Sequence, residues 1–436
     1  MRDHSHHIEL SRQDAVDAML AKLASLDFTA ASGLGRRIEQ VPLSQAYGRV
    51  LARAMRSRTD VPNTLNCAMD SIAVRWEAFE DLDEGELPDT SHWVRGVDWE
   101  FANTGTAMPA GFDTAIVVEH VTVSEDEQRV VIDAAPSERF AGTRPQGSVL
   151  HRGETVAEAG TLITPDVAAR IAGAGRSVVP VVARPRVAFI PTGNELIPPN
   201  VPFWPGNPDK YAGWGRTYES NSLVVQGKVE AWGGIYVPFD IVPDNPRAIG
   251  CTIDLALEVA DIVVLNAGSS KGSDDWSVEA LEKRGEVICH QTNHGPGHHS
   301  SYAVVEGKPI VGISGPAGGA SFTLNFYLRP LMRAFLGLDP APETVPVRLA
   351  EAFPVRRKKD ARAGEERPSV AGSVFYGIKF LSVAPDEQGQ LWATPINARP
   401  GLGASPANAA NAYYMLPDGP GIEPPAVGDV IHVEMR

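Results

Sequence analysis

Asp261-Ile-Val-Val-Leu-Asn-Ala-Gly-Ser-Ser-Lys-Gly-Ser-Asp-Asp-Trp276 joins an unbroken apolar run to a Gly/Ser-rich turn and then an acid-rich helix start. The run from Ile262 to Leu265 has the composition of a strand buried on both faces, as in a parallel sheet. A turn of this kind leaves backbone N–H groups unpaired at the start of the next helix, where they attract a phosphate or another oxyanion. Gly268 and Gly272 permit close approach and Lys271 adds positive charge. Asp274 and Asp275 have two readings, as caps for the helix or as ligands for a divalent cation. On its own such a loop is as often a plain strand-to-helix turn, so its surroundings decide its meaning.

Outward from this stretch, strands and helices alternate from Arg186 onward. Strands are expected at Val187–Ile190, Ile235–Ile241 and Ile262–Leu265, with helices near Asn221–Trp232 and Pro246–Val259 and from Trp276. Alternation at this spacing predicts a mainly parallel sheet with helices on both faces, and such sheets bind ligands at the carboxyl ends of their strands. The loops 191–198, 242–245 and 266–275 should therefore converge at one edge. They carry Glu195, Asp244 and Asp275 at the ends of three successive strands, where the three acids can share one site. Each acid also has a purely local reading, since Asp244 can initiate the Asp-Asn-Pro turn and Asp275 can cap its helix.

Towards the N-terminus, Ser11-Arg-Gln-Asp14 precedes an apolar-periodic run through Ala15, Met19, Leu20 and Leu23, the pattern of a capped helix. A second capped helix opens at Thr164-Pro165-Asp166 and stops at Gly175, with Pro just inside and Gly just past its ends. Short β-type runs such as Thr114–Val118 and Arg129–Ile132 lie between them. After Pro340 the chain returns to short strands and Gly/Pro turns. The expected fold is thus multi-domain, α/β and β. A helical/β linker domain comprises 8–50 and 148–184, a β-rich insertion 51–147, the α/β domain 185–338 and a C-terminal β domain 339–436. The stretch 199–218, with Phe203, Trp204, Tyr211 and Trp214 among prolines and glycines, reads either as a lid or as a surface excursion.

At 436 residues the chain is too long for a single core. Its formal charge of −15, from 54 acidic against 39 basic residues, argues against a general nucleic-acid surface. An anionic ligand then needs a local pocket. Cys67, Cys251 and Cys289 have neither zinc-site spacing nor a disulfide framework, which suits a reducing cytoplasm. The opening Met1–His7 lacks an apolar signal core, and no apolar run is long enough to span a bilayer. His4, His6 and His7 read as part of a mobile terminus more readily than as a metal site.

The order of several motifs resembles the molybdopterin molybdenumtransferase family, that of MoeA and the gephyrin E domain, over nearly the whole chain. Leu43-Ser-Gln-Ala-Tyr-Gly-Arg-Val-Leu51 is similar to that family's entry to its second domain, and Asn66-Cys-Ala-Met-Asp70 to its N-S-A-M-D signature. Thr104-Gly105 with Asp113-Thr-Ala-Ile-Val-Val-Glu119, Thr192-Gly-Asn-Glu-Leu196, Tyr218-Glu-Ser-Asn221, Asp244-Asn-Pro246 and Gly268-Ser-Ser-Lys-Gly272 with Asp275 follow in the family's order. The resemblance implies a four-domain subunit that forms a homodimer and works after a molybdopterin adenylyltransferase. It implies a reaction in which adenylylated molybdopterin and molybdate or tungstate, with Mg2+, give the metal cofactor and AMP. Its implied binding residues are Thr104 and Gly268, Ser269, Ser270, Lys271 and Gly272. Its implied cation ligands are Glu195, Asp244 and Asp275, and His298 joins these acids in the catalytic set. Asp70 is expected to be structural, an acid that stabilises a turn in the β insertion.

The departures from the family fall on the chemistry. Leu65 stands where the family has an Asp before its signature, Gly147-Ser148-Val149 replaces G-E-D, and Gly295-Pro-Gly-His298 replaces K-P-G-K. The family's P-G-N-P reads Ser314-Gly-Pro-Ala317. His294, His298 and His299 form a loop cluster able to donate to an oxyanion, exchange protons near neutral pH or ligate a metal. Two functions of different class remain open, a divergent molybdenumtransferase and a non-catalytic carrier of molybdopterin or finished cofactor. A scaffolding role has no sequence feature beyond the C-terminal β domain.

Overall fold

The computed structural model describes residues 10–26, 37–83, 85–198, 217–266, 277–354, 374–398 and 404–436, in two units. One unit combines residues 1–37 with 183–436, and the other is the intervening stretch 38–182.

In the first unit the described elements run α1 (Arg12–Ser25), β1 (Arg186–Ile190), α2 (Asn221–Ala231), β2 (Ile235–Pro238), α3 (Pro246–Val259), β3 (Ile262–Asn266), α4 (Ser277–Glu282), β4 (Glu286–His290), β5 (Ser301–Val305) and β6 (Lys308–Ile313). A long helix follows, α5 (Ala317–Thr323) continuing through a π turn, Leu324–Leu328, into α6 (Arg329–Leu336). The strands form one sheet in the order β2-β1-β3-β6-β5-β4. All are parallel except β5, which runs against both neighbours. The mainly parallel sheet expected from the alternation is therefore present, with one reversed strand.

Strand periodicity sorts the sheet into two apolar faces, because successive side chains point to opposite sides. Val187, Phe189, Ile262, Val264, Val311 and Ile313 pack with α1, α2 and the long helix. Ala188, Ile190, Val263, Leu265, Ala303 and Ile310 pack with α3 and α4. Helix α1 begins as expected at Ser11, whose hydroxyl accepts from the Asp14 N–H. Its stripe of Ala15, Val16, Met19 and Leu23 is buried in the first of these cores. Of the stretch 8–50 expected in the linker domain, α1 therefore packs on the α/β sheet instead, while residues 38–50 stay with the linker.

The C-terminal strands Val345–Leu349, Phe375–Pro385, Leu391–Pro395, Ala412–Asp418 and Val430–Met435 close on themselves, since Phe375–Pro385 pairs with both Leu391–Pro395 and Ala412–Asp418. The expected small β domain is thus a barrel, in which closure removes the unpaired strand edges. His294–Gly295 adds a short parallel strand against Tyr376–Gly377, tying the barrel to the α/β part.

Among the described residues, the second unit has two larger cores and a smaller one around Cys67 and Phe112. Strands Ile38–Pro42 and Val178–Val182 pair beside the helix Pro165–Gly173, which is capped by Thr164, and together they bury Leu51, Ile163, Ile171 and Val181. Strands Ser71–Val74, Trp99–Ala102 and Thr114–Val117 form a three-stranded sheet whose core includes Ile72, Val74, Trp99 and Ile116. These are the linker and β-rich insertion that the changes of texture predicted. Among the described residues no helix is long and apolar enough to cross a membrane.

Candidate functional site

The parallel strands of the α/β domain all end at one edge, and their polar groups are concentrated there. Asn266 closes the apolar strand β3 and is buried. Its backbone carbonyl accepts from the Thr192 hydroxyl at 2.5 Å, and its side-chain amide donates to the Thr192 carbonyl at 3.4 Å. Asn221, at the start of α2 and also buried, donates to Asn266 Oδ1 at 2.9 Å and to the Gly315 carbonyl at 2.8 Å. One buried network therefore fastens the ends of β1 and β3, the start of α2 and the turn after β6. Such groups must be paired, because each one left unmade away from water costs about 1–3 kcal/mol. Two polar atoms here, Asn221 Oδ1 and Ser314 Oγ, have no protein partner among the described residues.

The turns after β1 and β2 bring the first two candidate acids together. Gly193 donates to the Val242 carbonyl at 3.1 Å, and Val242 donates to that of Pro191 at 2.8 Å, so the turns after β1 and β2 are zipped side by side. The Asn194 N–H then donates to Asp244 Oδ2 at 3.0 Å, while the Asp244 N–H donates to Asn194 Oδ1 at 3.2 Å. Glu195 is exposed and folds back over Gly193, its Oε2 lying 2.8 Å from where a Cβ on that glycine would be. Both carboxylates thus gather on the Gly193–Asn194 peptide. Gly193 has φ +149°, in a region that disfavours side chains. Gly193→Ala is expected to cost about 1–3 kcal/mol through strain and the clash with Glu195 and Leu196. Chemical denaturation checks this, and an unchanged midpoint would show that the turn accommodates a Cβ.

Asn245 caps α3, accepting from the N–H groups of Arg247 and Ala248 at 2.9 and 3.1 Å, and Pro246 takes the first helical position. Asp244 is left to hold the adjacent turn and to face an open cavity of about 610 Å³ lined by Asn194, Asp244, Asn245, Arg247 and Cys251 among others.

The histidine cluster does not behave as one group. His294 is fully buried, its ring stacked on Tyr327 and edge-on to Phe326. Its Nδ1 lies 3.2 Å from the Pro296 carbonyl, which can only accept, so Nδ1 carries the proton and Nε2 accepts from the Tyr327 hydroxyl at 2.7 Å. Burial pushes its pKa down to about 3. His294 is a neutral core residue, which corrects its inclusion among residues free to meet a ligand. His298 and His299 are half-buried with ring centroids 3.8 Å apart. They lie in the loop that leaves the carboxyl end of β4, so this loop belongs to the same edge of the sheet.

Thr104 lies in the second unit, where its N–H and hydroxyl both donate to Asp70 Oδ1 at 2.8 Å. The Thr104 N–H, helped by the hydroxyl, holds the Asp70 carboxyl below the usual range. Asp70 thus has the turn-stabilising contacts expected of it. Gly268, Ser269, Ser270, Lys271, Gly272 and Asp275 fall outside the described residues, as do His4, His6, His7 and residues 199–216 of the aromatic stretch. Among the described residues no three His, Cys, Asp or Glu side chains group as a metal site. Two carboxylates on adjacent turns still suit Mg2+, which takes one or two protein carboxylates and completes its shell with water and substrate phosphate.

The residues missed in the sequence are Asn266, Asn221 and Arg247. A polar residue closing an otherwise apolar strand, as in Ile-Val-Val-Leu-Asn266, was the available signal for the first. The other two become visible only when separate turns are brought together.

A multi-domain chain with an α/β sheet, a β insertion and a terminal barrel is a narrow class. Two family descriptions match it in tandem, "MoeA N-terminal region (domain I and II)" over residues 10–175 and "Probable molybdopterin binding domain" over 188–334. The chain is similar to molybdopterin molybdenumtransferase 2 of Mycobacterium tuberculosis, 28% identical over 330 residues covering 69% of this chain and 76% of that one. The molybdopterin molybdenumtransferase of a Nostoc species is 28% identical over 327 residues, covering 71% and 72%. A crystal structure of the molybdopterin biosynthesis MoeA protein of Pyrococcus horikoshii shares the fold, with a TM-score of 0.68 at 22% identity over 98% of this chain and all of that one. The chain belongs to the MoeA family.

Proposed function

We propose that this protein is a molybdopterin molybdenumtransferase, which inserts molybdate or tungstate into adenylylated molybdopterin and releases AMP. What carries this reading is that both halves of the family pattern, residues 10–175 and 188–334, occur in order on one chain. The curated relatives that span most of its length bear the name of that enzyme. The arrangement at the carboxyl edge of the sheet supports it. Asn194, Asp244 and Glu195 present two carboxylates beside an open cavity where the turns after β1 and β2 meet.

In this reading Glu195 and Asp244, with Asp275, hold Mg2+, and the 268–272 turn binds the phosphate or pterin through Ser269, Ser270, Lys271 and backbone N–H groups. Bound there, Mg2+ would neutralise phosphate and oxyanion charge. Asp244 fixes the Asn194 turn, so the carboxylates are set before substrate arrives. His298 approaches from the β4 loop as a proton donor or acceptor. The working form is a cytoplasmic homodimer that receives its substrate from an adenylyltransferase.

The test is incubation of the full chain with adenylylated molybdopterin, Mg2+ and molybdate or tungstate, following AMP. Stoichiometric AMP release that depends on the oxyanion is expected. Tight binding of the substrate with no AMP, under conditions where a family member turns over, would point to the carrier instead.

A further inference from the structure

The cavity beside the Asn194–Asp244 contact has a positively charged wall that the family comparison does not account for. Along α3, Arg247, Ala248 and Cys251 line it, at the spacing that brings side chains onto one helix face, while Ile249, Ile253, Ala256 and Leu257 turn towards the sheet. Arg247 is exposed, and its guanidinium has no hydrogen bond or ion pair among the described residues. Two other arginines of this unit are neutralised: Arg284 grips Asp254 through two bonds of 2.7 and 3.0 Å, and Arg37 holds Asp261 at 2.9 Å. The helix end itself is not the donor here, because Asn245 already accepts from the Arg247 and Ala248 N–H groups.

An unpaired guanidinium in one cavity with Asp244 suits a phosphate that also carries a metal ion. The carboxylate faces the cation, and the planar fork of Arg matches two phosphate oxygens. Resting on the transferase reading of this site, we propose that Arg247 is a substrate-binding residue that grips the diphosphate bridge of adenylylated molybdopterin.

Full-length wild type, Arg247→Ala and Arg247→Lys are compared with two probes. These are inorganic pyrophosphate in the presence of Mg2+, followed by calorimetry, and the kinetics of AMP release. Arg247→Ala is expected to raise both the pyrophosphate Kd and the KM for adenylylated molybdopterin roughly tenfold or more, with a smaller change in kcat. Its binding should also depend less on salt, and Arg247→Lys should recover part of the affinity. If Arg247→Ala leaves Kd and KM unchanged while wild type turns over, the assignment is overturned and the transferase reading stands. If wild type releases no AMP yet binds pyrophosphate through Arg247, the transferase reading fails and the anion site stands. Failure of wild type to bind pyrophosphate overturns the site.

Discussion

Asp244→Asn is expected to lower AMP release by roughly 100-fold or more while leaving the fold intact. The substitution keeps an oxygen able to accept from the Asn194 N–H, the 3.0 Å contact that joins the turns after β1 and β2. It removes the negative charge facing the cavity. A purely structural Asp244 would tolerate the change, whereas a cation ligand would not. The loss should be partly relieved by raising Mg2+, because a weakened ligand set still binds at higher concentration. Unchanged rates at limiting Mg2+ would strike Asp244 from the cation site and leave it a turn residue only. Asp244→Ala provides the comparison, since it deletes both the charge and the contact and should also lower thermal stability.

The second large effect concerns pH. His294 is buried with its pKa pushed down to about 3, against an ordinary value of 6.5. The folded protein therefore keeps this imidazole neutral while the unfolded chain takes up a proton as pH falls below 6.5. Stability attributable to His294 is complete above that value and is lost as the pH falls towards 3. The slope is about 1.4 kcal/mol per pH unit, for a total on the order of 5 kcal/mol. Denaturation of wild type and His294→Gln at pH 7, 5.5 and 4.5 isolates this contribution from the titrating carboxylates. The variant should start less stable, having lost the Tyr327 contact, and the gap should narrow as the solution becomes more acidic. Parallel curves would mean that His294 takes up its proton in the folded state.

Much of the α/β domain was legible because its strands are short apolar runs with the parity of a sheet buried on both faces. Val187 and Phe189 against Ala188 and Ile190 is one example, and the caps at Ser11, Thr164 and Asn245 sit where short polar side chains precede periodic helices. Position along the chain misled the reading of α1, since nothing local tells an apolar stripe which distant sheet will cover it. His294 escaped for a related reason. A histidine between glycine and asparagine in a Pro/Gly loop has the local character of a surface residue, and only Tyr327 and Phe326, more than thirty positions later, enclose it. Closure of the barrel was equally silent, because pairing of Phe375–Pro385 with two strands at once is set by distant register. For the site, sequence order named Glu195 and Asp244 as neighbours, but the asparagine-to-aspartate contact that joins their turns depends on backbone groups no motif spells out.

Helix α1 also carries a consequence for how the polypeptide is made. Residues 12–25 leave the ribosome well ahead of the groups that bury Met19 and Leu23, among them Tyr302, Val311 and Leu331, which are translated nearly three hundred codons later. Residues 38–182 hold their own cores and can mature in the interval. The nascent chain must meanwhile carry a sticky amphipathic segment with no partner, which makes it a natural client for a chaperone until synthesis passes the long helix.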